Sequence, residues 1–106
     1  MMLLFLKIRP QPKKRMVLLE ILKSVQAQTR VLNGCTACSI YEEGGDEDGI
    51  LYLEQWRSTE ALYRQIQSNQ YMRVLEAMEL GREPPQISFY EVSEHKGLEL
   101  IQRLRK

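Results

Sequence analysis

Tyr52, Glu54 and Trp56 recur at every second position, so an extended backbone would line a phenol, a carboxyl and an indole along one face. Such a wall suits a flat phenolic ligand, and a carboxyl buried there would have a raised pKa and serve as a base. The same residues also have a packing reading. Trp56 would anchor a core or an interface, Tyr52 would pack at a dimer contact, and Glu54 would pair with an arginine. Both readings stand at this point.

Other clusters promise less. Cys35-Thr36-Ala37-Cys38 spells a C-x-x-C pair, but on a strand, residues three apart face opposite sides, so the thiols are expected to diverge. With no second pair and a single histidine, zinc would lack ligands, and no metal is expected. His95 lies in the polar run Ser93-Glu94-His95-Lys96, which suits a surface position. The acidic run Asp46-Glu47-Asp48 lacks the spaced ligands of a calcium loop. No phosphate-binding glycine motif and no Ser/His/Asp set can be assembled.

These residues must be positioned by a chain of 106 residues, a length that suits one domain. With 43% hydrophobic and 27% charged residues it is neither disordered nor low-complexity in composition. The net charge of +1 gives no electrostatic case for nucleic acid. No apolar run approaches the roughly 20 residues of a membrane span, and two cysteines are too few for a disulfide scaffold, so a cytoplasmic location is expected. Charge is segregated: residues 1–33 carry seven basic and one acidic side chain (+6), and residues 34–60 one basic and seven acidic (−6). These segments are either solvated separately or complementary between subunits.

Periodicity predicts a strand at 2–9, broken by Pro10 and Pro12, then a helix from 13 to about 31 with a stripe at Leu18, Ile21, Leu22 and Val25. Asn33-Gly34 would end it. Segments 35–43 and 50–57 read as a hairpin across a glycine-rich connector. Ser58 is a plausible N-cap for the next helix. Ser68-Asn69 interrupts that helix before a second piece with Tyr71, Met72, Leu75 and Met78 inside, and Gly81 stops it. A strand at 86–92 and a tail helix from 98 to about 105 follow. The order is β-α-β-β-α-β, the ferredoxin-like α+β plan of a four-stranded antiparallel sheet with helices on one face. The domain would occupy 1–95 and the helical extension 96–106, the latter packing on its own or a neighbouring subunit. The strands, however, are apolar on both faces: Leu51 and Leu53 point one way, Ile50, Tyr52 and Trp56 the other. A homodimer is the simplest cover for the second face.

Asn33-Gly34-Cys35, Tyr52-Leu53-Glu54-Gln55-Trp56-Arg57-Ser58, Glu60-Ala61-Leu62, Ser68 with Tyr71, and Ile87-Ser88-Phe89-Tyr90 together resemble the antibiotic biosynthesis monooxygenase domain family. The resemblance covers roughly residues 2–93. It implies a dimeric α+β barrel with a ligand cavity between sheet and helices in each subunit, and monooxygenation of quinols or polyketide anthrones without metal or flavin. Many members carry a histidine three residues after the leucine matched by Leu62, a position held here by Gln65. Glutamine hydrogen-bonds a carbonyl or hydroxyl but is no base near neutral pH. The family also includes haem-degrading relatives, which use a first-strand asparagine that residues 2–9 lack.

The resulting expectation is a dimer that binds an aromatic or quinol-like compound and oxygenates it with no bound cofactor. Trp56 and Tyr52 would wall the ligand, Gln65 would hydrogen-bond it, and Glu54 would substitute as base. Tyr71 and Met72, at the helix break, would line the opening or fill the core. The alternative is a non-catalytic binding or sensing dimer on the same scaffold.

Overall fold

The computed structural model describes residues 1–45 and 48–106. Its strands are β1 (Met2–Ile8), β2 (Cys35–Glu42), β3 (Ile50–Trp56) and β4 (Gln86–Glu91). Its helices are α1 (Arg15–Thr29), α2 (Thr59–Ile66), α3 (Met72–Glu79) and α4 (Leu98–Leu104), with a single 3₁₀ turn at Asn69–Tyr71. The strands form one antiparallel sheet in the order β2-β3-β1-β4, the ferredoxin-like α+β arrangement.

Alternation decides which side chains enter the core. Leu4, Leu6 and Ile8 of β1 share a face with Ile50, Tyr52, Glu54 and Trp56 of β3, and all are buried. Against them α1 sets Leu18, Leu22, Val25 and Thr29, α2 sets Ala61 and Leu62, and α3 sets Val74 and Ala77. Each fully buried leucine or isoleucine contributes roughly 1.5–3 kcal/mol by leaving water. Ser58 caps α2 as expected, its Oγ accepting from the Ala61 amide at 3.2 Å.

The other face of the sheet carries Leu3, Phe5, Leu51 and Leu53, half-buried among their strand neighbours, with Tyr41 and Tyr90 exposed. On the edge strand β4 the helix-side residues Ile87 and Phe89 are also open, at 38% and 47% exposure. The tail helix α4 has no buried residue, and Leu98, Ile101 and Leu104 are exposed. Of the two placements expected for it, its own or a neighbouring subunit, the described residues of its own chain bury none of its side chains.

Gly34 departs from its expected role. Helix α1 already ends at Thr29, and the positive φ of Gly34 (+92°) instead brings the loop down onto α2. A Cβ there would lie 2.6 Å from Ala61 Cβ. Gly34→Ala is expected to cost roughly 2–5 kcal/mol, combining left-handed backbone strain with overpacking. A urea titration checks this; an unshifted midpoint would mean that the loop does not need this close approach.

The segregated charges are partly paired within one chain. Lys7 and Arg15 form ion pairs at 2.7 Å with Glu43 and Glu42, and Arg82 holds Asp48 through two hydrogen bonds, 2.5 and 3.0 Å. Asp46 and Glu47 lie outside the described residues.

Candidate functional site

The three alternating residues of β3 form one buried hydrogen-bonded unit. Glu54 Oε2 accepts from Tyr52 Oη at 2.5 Å, and Oε1 accepts from Trp56 Nε1 at 2.8 Å. Cys38, opposite Glu54 on β2, donates its thiol to Tyr52 Oη at 3.3 Å. Both carboxyl oxygens thus bond neutral donors, and the arginine partner considered for Glu54 is not among them. Burial pushes the Glu54 carboxyl above its ordinary range, and the two hydrogen bonds oppose that rise without cancelling it. Burial first, then the Glu54 charge, drives the Tyr52 phenol far above its usual range, so Tyr52 remains a donor. Burial lifts the Cys38 thiol to about 12, so it stays protonated and is no nucleophile.

A β-bulge between Cys35 and Ala37 overturns the expected divergence of the thiols. It sets Cys35 opposite Trp56 and Cys38 opposite Glu54, so both cysteines lie on the helix face. Both are free. The carbonyl of Cys38 accepts from Gln26 Nε2 at 2.9 Å and Arg30 Nε at 3.1 Å, tying α1 to the strand just beyond the bulge.

Beside Trp56 a cavity of about 260 Å³ opens between the loop after α1, helix α2 and the 3₁₀ turn. Leu32, Trp56 and Ala61 supply its apolar wall. Asn33, Arg64, Gln65, Ser68 and Gln70 supply its polar side. Gln65 is only 4% exposed, although a helical glutamine beside an arginine more often faces solvent. Ser68 Oγ donates to the Gln65 carbonyl at 2.7 Å and lies 3.3 Å from Gln65 Oε1, so the helix break also holds this side chain. Gln65 Nε2 and Gln70 Nε2 are buried and have no hydrogen-bond partner among the described residues.

The structure brings Trp56 and Gln65 together on this cavity. Tyr52 and Glu54 lie behind Trp56 and do not line it. Tyr71 is buried in the core, its phenol pushed up to about 12 by burial and then by the Glu54 charge. Met72 is 59% exposed and Leu75 is also exposed, correcting their assignment to the interior. Tyr71, in the 3₁₀ turn, is buried as expected, and on α3 it is Val74 and Ala77 that face inward in place of Met72 and Leu75. Gln70 carried no sequence signal as a site residue, and Ser68 only its place at the helix break and in the family resemblance. His95 is exposed, and among the described residues no three metal-ligating side chains converge. Among the same residues no helix is long and apolar enough to cross a membrane.

An uncharacterised protein of Synechocystis is 26% identical over 94 residues, 88% of this chain; the chain spans 63% of that relative's length. Among solved structures, Rv0793 from Mycobacterium tuberculosis has a TM-score of 0.80 at 23% identity, covering 91% of this chain and 98% of its own. A candidate antibiotic biosynthesis monooxygenase of Deinococcus radiodurans has a TM-score of 0.82 at 17% identity, covering 92% and 98%. At these identities the two structures establish the shared fold. The family model for antibiotic biosynthesis monooxygenase matches residues 1–77, through β3, α2 and most of α3, and the chain belongs to that family.

Proposed function

We propose that the chain binds a planar aromatic or quinol-like molecule in the cavity beside Trp56 and oxygenates it with O2, without a bound cofactor. The observation that carries the reading is an indole fixed by a buried carboxyl group next to a buried amide whose nitrogen has no partner among the described residues. In this chemistry the ionised substrate passes an electron to O2, and recombination forms a C–O bond. Loss of water from the resulting hydroperoxide leaves a carbonyl. One oxygen stays in the product and one leaves as water, so oxidation of a ring CH2 to C=O supplies all four electrons. The protein contributes orientation by Trp56, a hydrogen bond from Gln65 and a pocket poor in water. Glu54 acts as a positioning residue for Trp56, since it does not line the cavity.

A second reading, a non-catalytic binding or sensing protein, is favoured by one observation: among the described residues that line the cavity, none is a base near neutral pH. In either reading we propose a homodimer that covers the apolar second face, with α4 resting on the partner. Its two free thiols suit a reducing compartment such as the cytoplasm.

Trp56 is the single tryptophan, so its fluorescence reports occupancy directly. A panel of hydroquinones and anthrone, followed by fluorescence and an oxygen electrode, is expected to show saturable binding with oxygen uptake. Binding without uptake selects the second reading, and absence of both rejects the cavity as a ligand site. Sedimentation at micromolar concentration is expected to give twice the protomer mass; a well-behaved monomer would remove the dimer.

A further inference from the structure

The Tyr52 phenol and the Cys38 thiol are buried and take no part in the chemistry of the cavity, yet they continue a chain of hydrogen bonds that begins at its wall. Trp56 Nε1 donates to Glu54 Oε1 at 2.8 Å, Tyr52 Oη donates to Oε2 at 2.5 Å, and Cys38 Sγ donates to Tyr52 Oη at 3.3 Å. The far end reaches a second cavity, of about 370 Å³, lined by Arg30, Thr36, Ala37, Cys38 and Ser39 on the edge strand β2. Indole, phenol and thiol each give up one electron readily when a base takes the proton. All four members of the chain are 1% exposed or less, so the proton acceptors are the ones the fold supplies. Burial keeps the phenol protonated, so it loses an electron only together with its proton, and Oε2 is in place to receive that proton. The thiol directs its hydrogen at the phenol oxygen, the atom that would need one back.

We propose that Trp56, Glu54, Tyr52 and Cys38 form a relay that carries oxidising equivalents from the cavity to the edge of the sheet. Glu54 enters it ionised, the form in which both oxygens accept. A reactive oxygen species takes one electron from the indole, and Nε1 gives its proton to Oε1, leaving a neutral indolyl radical. Tyr52 then passes an electron to the indolyl and its proton to Oε2, while Oε1 returns its proton to Nε1. Trp56 is restored, Glu54 keeps one proton, and the unpaired electron resides on the Tyr52 oxygen. The Cys38 hydrogen atom moves to that oxygen and leaves a thiyl radical. An anionic one-electron reductant, a thiolate or ascorbate drawn to Arg30 in the second cavity, reduces the thiyl. The proton held by Glu54 returns to sulfur through Tyr52, and the chain is reset. Electrons cross such short spans without solvent contact, so the burial of each member is no obstacle. The relay rests on the reading that O2 reacts beside Trp56, and it gives Tyr52 and Cys38 the role of protecting that wall.

Flash photolysis with a ruthenium sensitiser and persulfate tests the relay, because the light-driven oxidant acts with no ligand in the cavity. Trp56 is the single tryptophan, so any indolyl signal is its own. In the wild type that signal is expected to give way to a phenoxyl signal. Tyr52→Phe should lengthen the indolyl lifetime at least about tenfold, whereas Tyr71→Phe, at the other buried tyrosine, should leave it unchanged. Cys38→Ser keeps a donor to Tyr52 but binds its hydrogen too firmly to release it. That variant should leave the indolyl decay unchanged and lengthen the phenoxyl lifetime about tenfold, a result that stands even if Tyr52→Phe does not fold. An indolyl lifetime indifferent to Tyr52→Phe, or a phenoxyl lifetime indifferent to Cys38→Ser, would overturn the relay whatever the cavity binds. Failure of hydroquinones to bind or to consume oxygen would reject the oxygenase reading and leave these lifetimes as they are.

Discussion

Glu54→Leu is expected to lower stability by roughly 2–6 kcal/mol, because two buried donors each lose an acceptor at about 1–3 kcal/mol apiece. The donors are Tyr52 Oη and Trp56 Nε1, and leucine offers neither of them an oxygen. The change leaves little cavity, so the loss isolates the polar cost from packing. Glu54→Gln should cost less, since its amide oxygen still accepts from one donor. Urea unfolding near neutral pH measures both, and a leucine variant as stable as the wild type would show that the Tyr52–Glu54–Trp56 unit does not support the fold.

The same carboxyl makes a pH prediction. Burial raises Glu54 from its ordinary value of 4.5, so in the window above 4.5 the folded chain holds a proton that the unfolded chain has released. Stability from this group is therefore complete below the unfolded pKa and is lost as pH rises towards the folded one. Glu54→Gln titrates nothing, so its stability relative to wild type should improve as pH increases through that window. Parallel stability curves for the two proteins would contradict a raised carboxyl.

Trp56→Ala is expected to cost about 3–5 kcal/mol, as removal of a large buried aromatic does. It also strips Glu54 Oε1 of its donor and takes away the aromatic wall of the cavity. Trp56→Phe separates these effects. A ring remains but the N–H does not, so the expected loss is about 1–3 kcal/mol with aromatic-ligand binding largely kept. Unfolding curves paired with dialysis distinguish the contributions. If folded Ala and Phe variants both bound ligand as the wild type does, the site would lie away from this cavity.

Much of the scaffold is visible in residue order because it depends on local periodicity. The stripe on α1, the Ser58 cap and the alternation of β3 each reflect interactions within a few residues, and each appears where the pattern places it. Departures occur where one turn or one bulge resets a phase. A single extra residue between Cys35 and Ala37 moves Cys35 onto the face of Cys38, against a strict two-residue alternation. One 3₁₀ turn after Ser68 turns Met72 outward and leaves Tyr71 inward.

The site divides along the same line. Residue order alone determined that Tyr52, Glu54 and Trp56 share a face, since a strand repeats every two residues whatever surrounds it. Only the tertiary structure decided that Glu54 supports Trp56 from behind, and that Gln65, Ser68 and Gln70 meet across a helix break beside the indole. The physical reason is that burial and hydrogen-bond partnership belong to the packed surroundings of a side chain. Those surroundings arise from segments far apart along the chain, here the loop before β2 brought onto α2 by Gly34.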